Sequence, residues 1–240
     1  VETGAVRSPA ARPDFAAAGG EWIMERSDYS HSVYTEAPLS FQKRFGGKWV
    51  TRKYGPTGDF LSVWGEGIQF DQSVMNDENA ALYAATAFIE NNSALLPHGI
   101  LIEDLEPLAN VYADDTRYVT FRQTIRGVPV LKASVYVYFK HARLVMFGVR
   151  LLPVEKEISV NPQLSLADAE RIAVGRLGKS GYKAVSRGGE LVIFPLIGQD
   201  NVSFKLAYAV KLNAAAQGSF TGYIDAEDGG IIAMRDERIY

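Results

Sequence analysis

The sequence predicts an α+β fold: two consecutive helix-on-antiparallel-sheet modules, preceded by a β-rich N-terminal segment. Three observations carry this. An amphipathic helical pattern over NDENAALYAATAFIENN is followed by a run of strand-like segments, and the same order returns after SLADAERIAVGRLGKSG. Ahead of both lies an aromatic-rich stretch broken by Gly, Pro and Asp, which is the texture of short strands and turns.

Taken in order, residues 1–18 (VETGAVRSPAARPDFAAA) are small and Pro-punctuated, without periodicity, and read as a flexible tail. Residues 19–75 form the β segment, with Gly55-Pro56-Thr57-Gly58-Asp59 as a turn between two aromatic runs. The first helix opens near Asn76 or Asp77, either of which can cap it, and places Ala81, Leu82, Ala85, Phe88 and Ile89 on one face. Asn91-Asn92 and Pro97 mark its exit.

Strands follow at about 104–112, 117–125, 129–140 and 143–152. In YVTFRQTIRGVPVLKASVYVYF two long strands fold about Arg126-Gly127. Strict alternation puts Leu131, Ala133, Val135, Val137 and Phe139 on the core face, with Val130, Lys132, Ser134, Tyr136 and Tyr138 opposite. Lys140-His141-Ala142-Arg143 is a hairpin tip.

Ser165 and Asp168 have capping-box spacing for the second helix. Its buried stripe is Leu166, Ala169, Ile172, Ala173 and Leu177, and Gly178 or Gly181 stops it. Strands are expected at about 190–196, 203–212, 219–225 and 230–235, with a tight turn at Asp225–Gly230. The domain reading is therefore 1–18 tail, 19–75 β segment, 76–153 first module and 154–240 second module.

Composition excludes several kinds of chemistry. The 240 residues carry a net charge of −3 and no cysteine, so disulfides, thiol catalysis and thiolate metal sites are absent. A sequence pI near 5.7 argues against a nucleic-acid partner. No apolar run approaches the roughly 20 residues of a membrane-spanning helix, so no membrane span is expected. A start at Val1 fits a chain whose leader has been removed.

No catalytic residues and no metal ligands are expected in this chain. His31, His98 and His141 are scattered through turn-like contexts without an HExxH. No serine stands in G-x-S-x-G. The glycine pieces at 65–67, 188–189 and 229–230 fit turns. The carboxylate pairs Glu103-Asp104, Asp114-Asp115 and Glu227-Asp228 flank strands, where solvated turn residues belong. The cluster around Trp22, Trp49 and Trp64 reads as core packing rather than as a ligand platform.

The stretch YVTFRQTIRGVPVLKASVYVYF with RLVMFGVRLLP resembles the FTP motif of fungalysin/thermolysin propeptides, carried by Arg122, Gln123, Gly127, Val128 and Pro129. FIENNSALL and WVTRKYGPTGDFLSVWGEGI are similar to segments that precede that motif. Downstream, LSLADAERIAVGRL, ELVIFP, KLAYAVKL and FTGYIDAEDGGIIAMRDE resemble a PepSY domain. Together they span about residues 46–238. The sequence departs from the pattern at Lys140–Arg143 and at Glu227-Asp228-Gly229.

The resemblance implies a propeptide with two cystatin-like modules that inhibits a thermolysin/fungalysin-like zinc metallopeptidase, assists its folding and blocks its cleft until cleaved. The cognate peptidase domain would be the partner, in cis before cleavage and non-covalently after it. Zinc would belong to that partner, with no cofactor in this chain, and the location would be secreted or periplasmic. The cleft-binding segment would be Met234, Arg235, Asp236, Glu237, Arg238, Ile239 and Tyr240, with Ile239 or Tyr240 in a specificity pocket and the cleaved carboxylate near the zinc. A stand-alone peptide- or protein-binding module is the alternative.

Overall fold

The structure, a computed structural model, describes residues 21–22, 33–36, 39–54, 60–97, 100–154, 157–197, 202–214 and 218–237. The expected tail at 1–18, the turn at 55–59, His31 and His98 lie outside these. The described residues form an α+β fold whose strands are mostly antiparallel. They divide into two compact units. One contains Met24–Asn161 with Leu191–Leu206, and the other contains Pro162–Glu190 and Ala207–Tyr240 together with the short strand at 21–22.

In the larger unit the elements run β2 (Val33–Glu36), α1 (Leu39–Phe45), β3 (Trp49–Tyr54), β4 (Phe60–Gln69), α2 (Ser73–Asn76), α3 (Glu78–Asn91), β5 (Leu105–Ala113), β6 (Thr116–Ile125), β7 (Val128–Lys140) and β8 (Arg143–Arg150). Their antiparallel order is β2-β3-β4-β8-β7-β6-β5. Helix α3 begins where Asp77 accepts from the backbone N–H groups of Asn79 and Ala80, at 2.7 and 3.1 Å. Its face of Ala81, Ala84, Ala85, Phe88 and Ile89 shares one core with Val119, Phe121, Val135, Val137, Phe139 and Phe147. The Phe88 and Phe147 rings meet edge to face at 5.3 Å.

Three two-residue turns close the hairpins β5–β6, β6–β7 and β7–β8, each with both central residues at positive φ: Asp114-Asp115, Arg126-Gly127 and His141-Ala142. That geometry matches the twist of the flanking strands. Ala142 is buried, and its carbonyl accepts from the Phe70 backbone N–H at 2.8 Å.

Alternation along β7 fails in one place. Val130 is buried and Leu131 is half-buried, the reverse of the expected faces. The cause is an irregularity centred on Lys132, whose φ is +65°. Arg122 pairs with Ser134 but Thr124 pairs with Pro129, so four residues of β7 bulge out of the ladder with β6. Within the bulge Val130 and Ala133 join a second small core with Ile125, Leu152 and Ile193. Ile193 belongs to β9 (Ala184–Ile197) and bridges Val130 in parallel.

The stretch LSFQKRF, within the segment expected to be β, is helix α1. It packs Phe41 against Trp49 at 5.3 Å. Trp49 is core, as its patterning suggests, and its Nε1 donates to the Gly46 carbonyl at 2.7 Å.

In the smaller unit α4 (Leu166–Lys179) accompanies β1 (Glu21–Trp22), β11 (Gly218–Asp225), β12 (Ile231–Asp236), residues 207–214 of β10 (Val202–Ala214) and residues 184–190 of β9, and the strand order is β1-β12-β11-β10-β9. Ser165 caps α4 by accepting from the Asp168 N–H at 3.2 Å, while its hydroxyl donates to the Asp168 carboxylate at 2.7 Å. That hydroxyl, with Arg171, holds the Asp168 carboxyl below its usual range. Gly181, at φ +83°, ends the helix: Tyr182 N–H returns to the Leu177 carbonyl at 3.0 Å, a left-handed cap. Ala169, Ala173 and Leu177 are the buried stripe, and Leu166 and Ile172 are half-buried.

Candidate functional site

The five motif residues cluster at the β6–β7 hairpin. Arg122 Nε donates to Glu106 Oε2 at 3.0 Å, a cross-strand ion pair with β5. Gly127 occupies the second turn position at φ +80°, and Val128 and Pro129 open β7, half-buried. The Arg126 guanidinium donates to the Ile158 carbonyl.

Gln123 is only 1% exposed. Its Nε2 donates to the Leu152 carbonyl at 2.8 Å, and its Oε1 accepts from the Leu152 N–H at 2.9 Å. The side-chain amide thus stands in for a strand peptide where the β7 bulge has left a gap, and it satisfies both polar groups of a buried backbone position.

The C-terminal candidates are placed unevenly. Met234, Arg235 and Asp236 lie within β12, with Met234 fully buried. Met234 is paired with Gly222 of β11 on one side and with Trp22 of β1 on the other. Glu237 accepts from the Thr221 hydroxyl at 2.6 Å and pairs with Arg235 Nε at 3.3 Å, while its backbone N–H bonds Ser219. Arg238, Ile239 and Tyr240 lie outside the described residues.

Beside this strand, burial pushes the Tyr223 phenol above its ordinary 10.0, with Arg235 drawing it part of the way back. Burial also raises Tyr208, whose hydroxyl donates to the Leu164 carbonyl at 3.0 Å. Each folded phenol holds its proton where the unfolded chain has begun to lose it, so stability falls as pH rises above about 10. Tyr223→Phe is expected to flatten that alkaline loss relative to wild type, read from urea midpoints on either side of pH 10.

The feature that sequence patterning did not single out is β5. It pairs with β6 alone, so its outer edge has no strand beside it among the described residues. Leu108 is 56% exposed and Val111 52%, with Tyr112 and the nearby helix residue Tyr83 also exposed. Pro107 sits at a bulge in the register with β6. A proline inside an otherwise strand-like run, LEPLANVYA, was the available signal for an edge strand.

From Val111 a row of large side chains crosses the sheet on the face opposite α3. Its register runs Val111–Tyr118–Tyr138–Met146–Trp64–Val50. At strand spacing of about 4.8 Å, five steps make a row of about 24 Å. Tyr118 and Tyr138 meet edge to face at 4.7 Å. The four central members are half-buried, while Val111 and Val50 are exposed at the ends.

Among the described residues no group of three or more His, Asp or Glu could hold a metal ion, and no helix is long and apolar enough to cross a membrane.

No family model matches the chain, and no curated protein matches it. Among solved structures it is similar to the Bacillus megaterium YpeB C-terminal domain, with a TM-score of 0.41 and 15% sequence identity over 88% of this chain and 90% of that one. A likeness at that level bears on neither activity nor partner.

Proposed function

We propose that this chain is a pro-region that inhibits a thermolysin/fungalysin-like zinc metallopeptidase and assists its folding, occupying its cleft until cleaved. The order of FTP-like and PepSY-like segments along the sequence supports the reading. So does the presence in each unit of one 14-residue helix beside antiparallel strands, which we read as two cystatin-like modules. The observation that carries it is the edge strand β5, where exposed Leu108 and Val111 meet the aromatic row. An unpaired edge offers main-chain hydrogen bonds, and exposed apolar side chains offer anchors, to a protein partner.

Inhibition of this kind requires no reactive group. In cis, tethering supplies an effective concentration of order mM, so a modest contact suffices. After cleavage the interface alone retains the partner, and a specific one buries roughly 1,200–2,000 Å². Met234–Asp236 are engaged in a sheet, so on this reading the cleft-directed tail is Arg238, Ile239 and Tyr240. Zinc belongs to the peptidase, and the pair works in a secreted or periplasmic setting.

The purified chain is expected to slow its cognate peptidase stoichiometrically. Leu108→Asp with Val111→Asp should weaken inhibition at least about tenfold without changing the circular dichroism spectrum, and removing 238–240 should weaken it separately. An open edge strand also suits a stand-alone peptide-binding module. Capture of extended peptides with no effect on any metallopeptidase would decide for that second reading.

A further inference from the structure

Strands β3 and β4, helix α1 and the end of α3 enclose a groove of about 460 Å³ in the larger unit. Its floor is Thr51 and Lys53 on β3, paired across the ladder with Val63 and Leu61 on β4. Phe41 and Phe45 of α1 form one wall, and the 91–95 segment ending in Leu95 forms the other. The size falls in the range of about 300–1,000 Å³ typical of small-molecule sites, and a mostly apolar lining with a few polar groups is the usual composition of such sites.

Two polar features set this groove apart from a packing defect. Thr51 is 4% exposed, and its enclosed hydroxyl oxygen has no hydrogen-bond partner among the described residues. Buried hydroxyls are normally paired, because leaving water without a new partner costs free energy. Among the described residues the charged groups lining the groove are both cations, Arg44 and Lys53, with no carboxylate beside them. Arg44 is held at the rim, with Nη2 donating to the Asn91 carbonyl at 3.0 Å and its guanidinium 5.2 Å from the Phe45 ring centroid. Thr51 and Lys53 are two residues apart on one strand, so they face the same side about 6.6 Å from each other.

We infer that this groove binds a small carboxylate with an apolar body, such as a medium-chain aliphatic acid. The hydrocarbon lies against Phe41, Phe45, Leu61, Val63 and Leu95. The carboxylate meets the Lys53 ammonium through one oxygen, and Thr51, whose hydroxyl oxygen is enclosed in the unliganded groove, turns about χ1 to donate to the other. Charge-assisted bonds of this kind are about twice as strong as neutral ones. An acid is therefore preferred over an alcohol of equal length. This site is independent of any peptidase partner.

The test is calorimetric titration of the full chain with decanoate, kept below micelle formation, alongside decanol. Wild type is expected to bind decanoate saturably with a dissociation constant below about 100 µM, and decanol about tenfold more weakly. Lys53→Glu should reduce decanoate affinity at least about tenfold and leave decanol unchanged. Thr51→Val, which keeps the shape and removes the hydroxyl, should weaken decanoate severalfold while Tm stays level or rises. The inference is overturned by absence of saturable decanoate binding up to about 1 mM, by equal affinity for acid and alcohol, or by an unchanged decanoate constant in both variants. A fall in Tm for Thr51→Val would likewise overturn it, since the hydroxyl would then serve the fold.

Discussion

Phe147→Ala is expected to destabilise the larger unit by about 3–5 kcal/mol. The ring is fully enclosed in the core beneath α3, opposite Val137 on β7 and Val63 on β4, and edge to face with Phe88 at 5.3 Å. Truncation removes the transfer free energy of the ring and opens a cavity between sheet and helix that the backbone of a central strand cannot collapse to fill. Against a total stability of about 5–15 kcal/mol for a typical domain, such a loss leaves little margin. Chemical denaturation followed by far-ultraviolet circular dichroism measures it. A double-mutant cycle with Phe88→Ala should return a coupling of about 0.5–1.5 kcal/mol for the aromatic pair. A loss below about 1 kcal/mol for the single change would contradict the packing of α3 on this sheet.

Gln123→Ala should cost about 1–3 kcal/mol, because it leaves the N–H of Leu152 buried and unpaired and its C=O with the Val154 N–H alone, at 2.8 Å. Gln123→Glu separates this from a simple loss of volume. A protonated carboxyl can donate to the Leu152 carbonyl and accept from its N–H, as the amide does; a carboxylate can only accept, and it carries a buried charge. The folded state therefore favours the neutral acid, which raises its pKa above the unfolded value of about 4.3. Stability of the variant relative to wild type should be greatest at acid pH and decline as pH rises through and beyond that value. A flat difference between pH 3 and 7 would show that the two hydrogen bonds are not what holds Gln123 in place.

Much of the local structure was legible in the chain. The caps at Asp77 and Ser165, the stripes of α3 and α4 and the turns at Arg126-Gly127 and His141-Ala142 are written within a few residues of where they act. Helix α1 was not legible, because seven residues without a cap signal inside an aromatic β-like stretch carry no period long enough to read. The candidate site was legible only in part. The motif residues form one cluster at the β6–β7 hairpin. The C-terminal segment divides between a buried strand and residues beyond the described chain, and the edge strand β5 came to notice only through its missing neighbour.

By itself, then, the sequence determined the α+β class, the two capped helices and the antiparallel hairpins, since capping, turn geometry and apolar period depend on neighbours along the chain. Tertiary structure decided the rest. Lys132 breaks the alternation that would have turned Leu131 inward, and Gln123 finds its partner 29 residues away. The groove over Thr51 exists only where a short helix and the end of α3 meet two strands. These features depend on which distant groups are left without hydrogen bonds or packing partners once the local elements have formed. That information lies in the assembled fold and in no short stretch of sequence.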